Sequence, residues 1–224
     1  MGRAEELFAL LNSENLIGQK GQITLSLGGI DVKVTDVSVV GNILQEWLAN
    51  FMKLKNFHFE LKPNTQDFPD FLLSLRGCQK TDLLEVKAFT KSPNFDVANF
   101  KAYARSLRDK AYRLDAKYLI FKYSPIDEGA AYKIDAIWLK NVWEICGPAK
   151  RSDVKIQWKQ GEPVNIRPVT FYSDRAEFQS FRSRFEFVEA LNRVIGMAGV
   201  DASIQRNWLQ TVKQNYLQHT QSQL

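Results

Sequence analysis

Residues 64–87 read NTQDFPDFLLSLRGCQKTDLLEVK, and the rest of the chain is best understood outward from them. Within this stretch Pro69-Asp70 opens an apolar run, Phe71 to Leu73, and Leu83-Leu84 leads into Glu85-Val86-Lys87. Two such runs separated by a turn around Arg76 to Thr81 predict adjacent antiparallel strands, a pairing that brings Asp70 to Glu85. Side chains two apart on a strand share a face, so Glu85 and Lys87 project together while Val86 turns into the core. Two carboxylates and one ammonium are expected to converge on one spot.

That combination has a definite chemistry. Hard carboxylate oxygens suit Mg²⁺, which retains several waters and accepts a phosphate oxygen as a further ligand. Such a metal polarises a phosphodiester and acidifies a bound water, while an ammonium such as that of Lys87 positions the water or stabilises the pentavalent phosphorane. Asp70 and Glu85 are the candidate metal ligands, with the main-chain carbonyl of Val86 as a third. A Pro-Asp followed by an acid-x-Lys arises by chance in on the order of one chain in twenty at ordinary residue frequencies. Context separates this instance from chance, because two acids at the ends of buried strands are costly unless a cation pairs with them.

Around this stretch, Ala4 to Leu11 has helical spacing, and Gln22 to Thr35 reads as a hairpin with Gly28-Gly29 at its turn. Leu44, Trp47, Leu48, Phe51 and Met52 form the apolar stripe of a helix over residues 41–55. Strands are predicted at 57–61, 70–75, 83–89, 117–123, 132–139 and 154–158. Asp96 is expected to cap a helix carrying Val97, Phe100, Ala104 and Leu107 on one face. Two long helices, about 175–195 and 203–218, complete an α/β fold with a central mixed sheet flanked by helices. Phe178, Phe181, Phe185 and Val188 are read as core, and the side of the last helix bearing Trp208, Leu209, Val212 and Tyr216 as packing internally.

The chain has 224 residues, 45% of them hydrophobic, enough for one compact domain spanning residues 1–224. Thirty Lys and Arg against 25 Asp and Glu give +5, a balance that favours a polyanionic partner. Cys78 and Cys146 match neither a zinc site nor a secreted disulfide framework, and the opening MGRAEELFALLNSENL does not read as a signal peptide. A cytoplasmic protein with no membrane span is expected.

The arrangement Pro69, Asp70, Glu85, Lys87 resembles the PD-(D/E)XK nuclease superfamily. The likeness extends, over VGNILQEWLANFM (40–52), NTQDFPDF (64–71), FDVANFKAY (95–103), LDAKYLIFKY (114–123) and IRPVTFYSDRAEFQSFRSRFEFVEAL (166–191), to the restriction enzymes related to NgoBV and NlaIV. The resemblance implies a restriction-endonuclease-like core and a homodimeric, Mg²⁺-dependent type II endonuclease. Its substrate would be double-stranded DNA carrying a short palindrome, GGNNCC, and a cognate DNA methyltransferase would be its system partner. It also implies a further acidic residue from the preceding helix, for which Glu46 is the candidate. A solvated surface glutamate is the competing reading, and Gln45 beside it leaves the choice open.

For DNA contact the sequence offers Lys101, Arg105 and Arg108 at helical spacing, against the plainer reading of a solvated basic face. Asn64 and Gln66, ahead of Pro69, carry amides able to approach base edges. Arg167, Arg175, Lys150 and Arg151 lie in predicted loops with no choice among them, and His58 and His219 lack partners at metal-ligand spacing. Two alternatives stay open: a repair or junction-resolving nuclease on the same scaffold, and a DNA-binding module in which the acids merely pair with Lys87.

Overall fold

A computed structural model describes residues 2–62, 68–75, 80–197 and 202–224. Helix α1 (Arg3–Ser13) is followed by β1 (Lys20–Gly21), the hairpin strands β2 (Thr24–Leu27) and β3 (Ile30–Lys33), α2 (Val40–Leu54), β4 (Glu60–Leu61), β5 (Phe71–Leu72) and β6 (Leu83–Phe89). Then come β7 (Ala98–Asn99), α3 (Phe100–Asp109), β8 (Lys117–Ile126) and β9 (Ala131–Asn141). The chain closes with β10 (Ile156–Lys159), β11 (Glu162–Ile166), α4 (Arg184–Met197), α5 (Ala202–Gln205) and α6 (Trp208–Thr220). These elements form two compact units, Met1–Ser92 with Lys117–Leu139, and Pro93–Ala116 with Lys140–Leu224.

The first unit is built on a six-stranded sheet in the order β1-β9-β8-β6-β5-β4. Strands β4, β5 and β6 pair antiparallel while β6 and β8 run parallel, with Glu85 opposite Tyr118, so the sheet is mixed as expected. Residues 83–86 of β6 are all buried, which is what a strand with neighbours on both edges and cover on both faces requires. Helix α2 lays Leu44, Leu48 and Met52 into the core with Phe71, Leu84 and Val86. Gly41 sits at the end of that face, and a Cβ there would stand 3.9 Å from Ala88 Cβ, so the helix approaches β6 closely. Gly28 and Gly29 take φ of 58° and 78°, the left-handed conformation a two-residue hairpin turn needs.

The second unit packs α3 against α6, where the buried Trp208 indole donates to Ala104 O at 2.7 Å. Trp208, Val212 and Tyr216 are buried, so that side of the last helix does pack internally. A three-stranded sheet, β10-β11-β7, completes the unit. No helix among the described residues is long and apolar enough to cross a membrane.

Several boundaries differ from the sequence expectation. Asp96 does not cap α3: Asn99 does, its side chain accepting from Ala102 N–H at 3.0 Å. Pairing of Ala98 and Asn99 with β11 holds those residues extended, and Asp96 pairs with Arg167 instead. Helix α4 begins at Arg184, because Ser183 Oγ accepts from Glu186 N–H at 3.1 Å, whereas residues 175–183 are irregular chain with bends. Its buried face is Phe187, Val188, Leu191 and Val194, and of the predicted apolar series only Val188 belongs to it. Asn207 (φ 55°) separates α5 from α6. Strand pairing covers only 60–61 and 71–72 of the runs predicted at 57–61 and 70–75, leaving His58 outside any strand, and β11 was not anticipated.

Candidate active site

The antiparallel register that pairs Phe71 with Leu84 places Asp70 beside Glu85 at the next step. The pairing is tied by side chains as well as by main chain. Asp70 Oδ2 accepts from Val86 N–H at 2.7 Å, and Asp70 N–H donates to Glu85 Oε2 at 3.3 Å. Lys87 Nζ, on the same face of β6 as Glu85, lies 2.8 Å from Glu85 Oε1. Asp70 Oδ1 accepts from Gln45 Nε2 of α2 at 3.1 Å. All four carboxylate oxygens are thus held by donors from α2, from β6 and from the main chain of Asp70 just ahead of β5.

Electrostatically the cluster is short of positive charge. Glu85 is 8% exposed, and among the described residues the one ammonium paired with the two carboxylates is that of Lys87. Burial, and next the charge of Glu85, push the Asp70 carboxyl up to about 6, against the opposing pull of the Val86 N–H, Lys87 and Gln45. A buried acid pair in this condition gains from a bound cation, which removes the repulsion that raises the pKa. The carboxylate oxygens of Asp70 and Glu85 are hard donors of the kind that suit a divalent ion such as Mg²⁺. No group of three or more His, Cys, Asp and Glu side chains able to hold a metal is found among the described residues.

The remaining sequence candidates fall in different places. Glu46 is exposed, with its carbonyl accepting from Asn50, and the α2 side chain that meets Asp70 is Gln45. The signal for this was spacing: Gly41, Gln45, Leu48 and Met52 follow one another at helical intervals toward β6, and position 46 lies off that line. Asn64 and Gln66 lie outside the described residues, as does Cys78; Cys146 is a buried free thiol. Lys101 pairs with Glu162 at 2.7 Å, and Arg105 is exposed one turn further along α3. Arg167 is tied into its own unit by Asp96 and by Gln157 Oε1. Lys150, Arg151 and Arg175 are exposed, and His219 stands edge-on to Tyr112.

Comparison with known proteins adds an independent line. The model of the NgoBV restriction endonuclease family matches residues 1–224. The type II restriction enzyme NlaIV of Neisseria lactamica is 34% identical over 220 residues, covering 96% of this chain and 90% of its own. The type II restriction enzyme NgoBV of Neisseria gonorrhoeae is 36% identical over 147 residues, 63% of this chain and 81% of that protein. Among solved structures, NlaIV restriction endonuclease superposes with a TM-score of 0.91 at 33% identity, covering all of this chain and 92% of the other. The chain belongs to the NgoBV restriction endonuclease family.

Proposed function

We propose that this chain is a type II restriction endonuclease that hydrolyses phosphodiester bonds in double-stranded DNA at a short palindrome, using Mg²⁺ held by Asp70, Glu85 and the Val86 carbonyl. The observation that carries the reading is the buried, hydrogen-bonded convergence of Asp70, Glu85 and Lys87, two acids against one ammonium. When bound, the metal supplies Lewis-acid polarisation of the scissile phosphate and an acidified water. The chain supplies the rest. Val86 N–H and Gln45 fix the rotamer of Asp70, and Asp70 N–H orients Glu85. Lys87, anchored on Glu85, donates toward the attacking water and the charge that grows on the phosphoryl oxygens.

We read residues 1–224 as one nuclease domain, since the family model spans all of them and the chain passes between its two compact units three times. Lys101 and Arg105 on α3 would meet phosphates, and Asn64 and Gln66 would approach the bases beside the cleaved bond. One such centre cuts one strand, so a two-fold homodimer is needed to cut both strands of opposite polarity, and its symmetry makes the site palindromic. A cytoplasmic setting with a cognate DNA methyltransferase goes with that activity.

The test is incubation with plasmid and Mg²⁺ or Ca²⁺, followed by sequencing of the fragment ends, with GGNNCC as the first site to examine. Discrete palindromic ends with Mg²⁺, and binding with little turnover with Ca²⁺, are expected. Full activity in chelator would remove the carboxylate metal site, and cutting confined to branched DNA would replace the reading with a junction-resolving one.

A further inference from the structure

The β2–β3 hairpin has a strict apolar face that the described residues leave largely exposed. Its register pairs Leu25 with Val32 and Leu27 with Ile30, so all four project to one side, while Thr24, Ser26, Asp31 and Lys33 take the other. Alternation of this kind normally marks a ribbon laid on a core, and Ile23, at the root of the same face, is indeed packed against the core of its unit. Beyond Ile23 the face leaves the subunit: Leu25, Leu27, Ile30 and Val32 are 58, 74, 68 and 52% exposed. A contiguous apolar patch of this kind marks an interaction surface.

The same unit carries an apolar cleft of about 250 Å³. Leu16, Ile43, Trp47, Phe121 and Tyr132 line it, with Lys20 as its charged member. Ile43 and Trp47 are each 37% exposed at its mouth. The volume falls below the roughly 300–1,000 Å³ of ligand pockets and suits a pair of aliphatic side chains.

We propose that the cleft of one copy receives the hairpin of a second copy, and that this reciprocal exchange builds the two-fold dimer. Gly21 and Gln22 line the cleft and β2 starts at Thr24, so the hairpin springs from the rim of its own cleft. A two-fold axis beside that rim lays each hairpin across the other copy's cleft, the self-complementary arrangement of an isologous interface. Used twice, a ribbon patch of a few hundred Å² and the cleft walls reach the order of the ~800 Å² per partner of a standard interface.

This assignment rests on the dimer proposed above but on neither catalysis nor metal, and its test separates them. Sedimentation of the full chain, free and on a short duplex, is compared with that of Leu27→Asp/Ile30→Asp. A dimer dissociation constant raised by at least about 100-fold, with an unchanged circular dichroism spectrum, is expected. Independently, Leu27→Cys/Ile43→Cys should form a covalent dimer under mild oxidation that neither single variant forms. A wild-type chain that stays monomeric would overturn the dimer and this surface together. A dimer indifferent to the aspartates, or one that loses only DNA affinity, would overturn the surface alone. Cross-linking of the single Leu27→Cys variant would show ribbon meeting ribbon and overturn the hairpin-in-cleft contact.

Discussion

Two carboxylate clusters in this molecule look alike in a list of contacts and differ in balance. In the second unit Asp115 is met by the guanidinium of Arg184 at 2.5 Å and by the Tyr216 hydroxyl at 2.8 and 3.1 Å. Arg184 in turn lies over the rings of Trp143 and Tyr216, at 4.8 and 4.7 Å from their centroids. One acid is matched by one base, and aromatic faces enclose them. At Asp70 and Glu85 two acids share one lysine, and burial with mutual repulsion raises a carboxyl pKa to about 6. A matched cluster stabilises a fold; an unmatched one is kept for what it can bind.

The largest expected effect follows from that contrast. Asp70→Asn, Glu85→Gln and Lys87→Ala should each lower plasmid cleavage by at least about 100-fold, because each removes a group that acts on the metal or on the developing charge. Asp70→Asn should leave the melting temperature unchanged or raised, since it removes one of two repelling buried charges. Cleavage assays paired with thermal melts check this, and a large fall in melting temperature with Asp70→Asn would break the comparison by making the first cluster structural too.

The converse variant reverses the pattern. Asp115→Ala should cost about 1–2 kcal/mol, less than a fully buried pair because its side chain is 37% exposed. For a chain of this size that is a drop of several degrees in melting temperature. Cleavage rate per folded molecule should hold, and loss of rate without loss of stability would move Asp115 into the catalytic machinery.

A smaller effect sharpens the first cluster. Gln45→Ala removes one neutral donor from Asp70 and should slow turnover about tenfold or less, with DNA affinity unchanged. Glu46→Ala should stay within about twofold. Single-turnover rates separate the two, and a greater loss with Glu46→Ala would return the role to the acid that the family resemblance implies.

What the sequence revealed and what it hid divide along physical lines. Asp70, Glu85 and Lys87 were legible because strand pairing and the two-residue repeat fix their relation locally. The choice between Glu46 and Gln45 stayed open, because choosing between neighbours on a helix needs the rotation of α2 against β6, which only the packed structure supplies. The start of α4 was misplaced because Phe178 and Phe181 happen to fall at helical spacing ahead of it. Ser183 and Glu186 carried the better signal, a hydroxyl three residues before a glutamate. The apolar alternation of the hairpin was plain, yet sequence could not say that its own subunit leaves it uncovered.

The smallest prediction uses the matched cluster as a pH probe. Burial first, and then the hydrogen bond to Asp115, push the Tyr216 phenol up to about 12 from an ordinary value near 10. The folded state therefore favours the protonated phenol, and this stabilisation is full below pH 10 and is lost as pH rises from 10 toward 12. Because its partner Asp115 is 37% exposed and solvent screens the pair, the contribution is about 1 kcal/mol rather than the nearly 3 that the full shift would give. Tyr216→Phe should thus be less stable than the unaltered chain by about 1 kcal/mol at pH 8, and the gap should shrink on approaching pH 12. Denaturant melts of the two proteins at pH 8, 10 and 11.5 measure it. A constant gap would mean that the phenol titrates alike in both states, and that Asp115 is held by Arg184 without help from Tyr216.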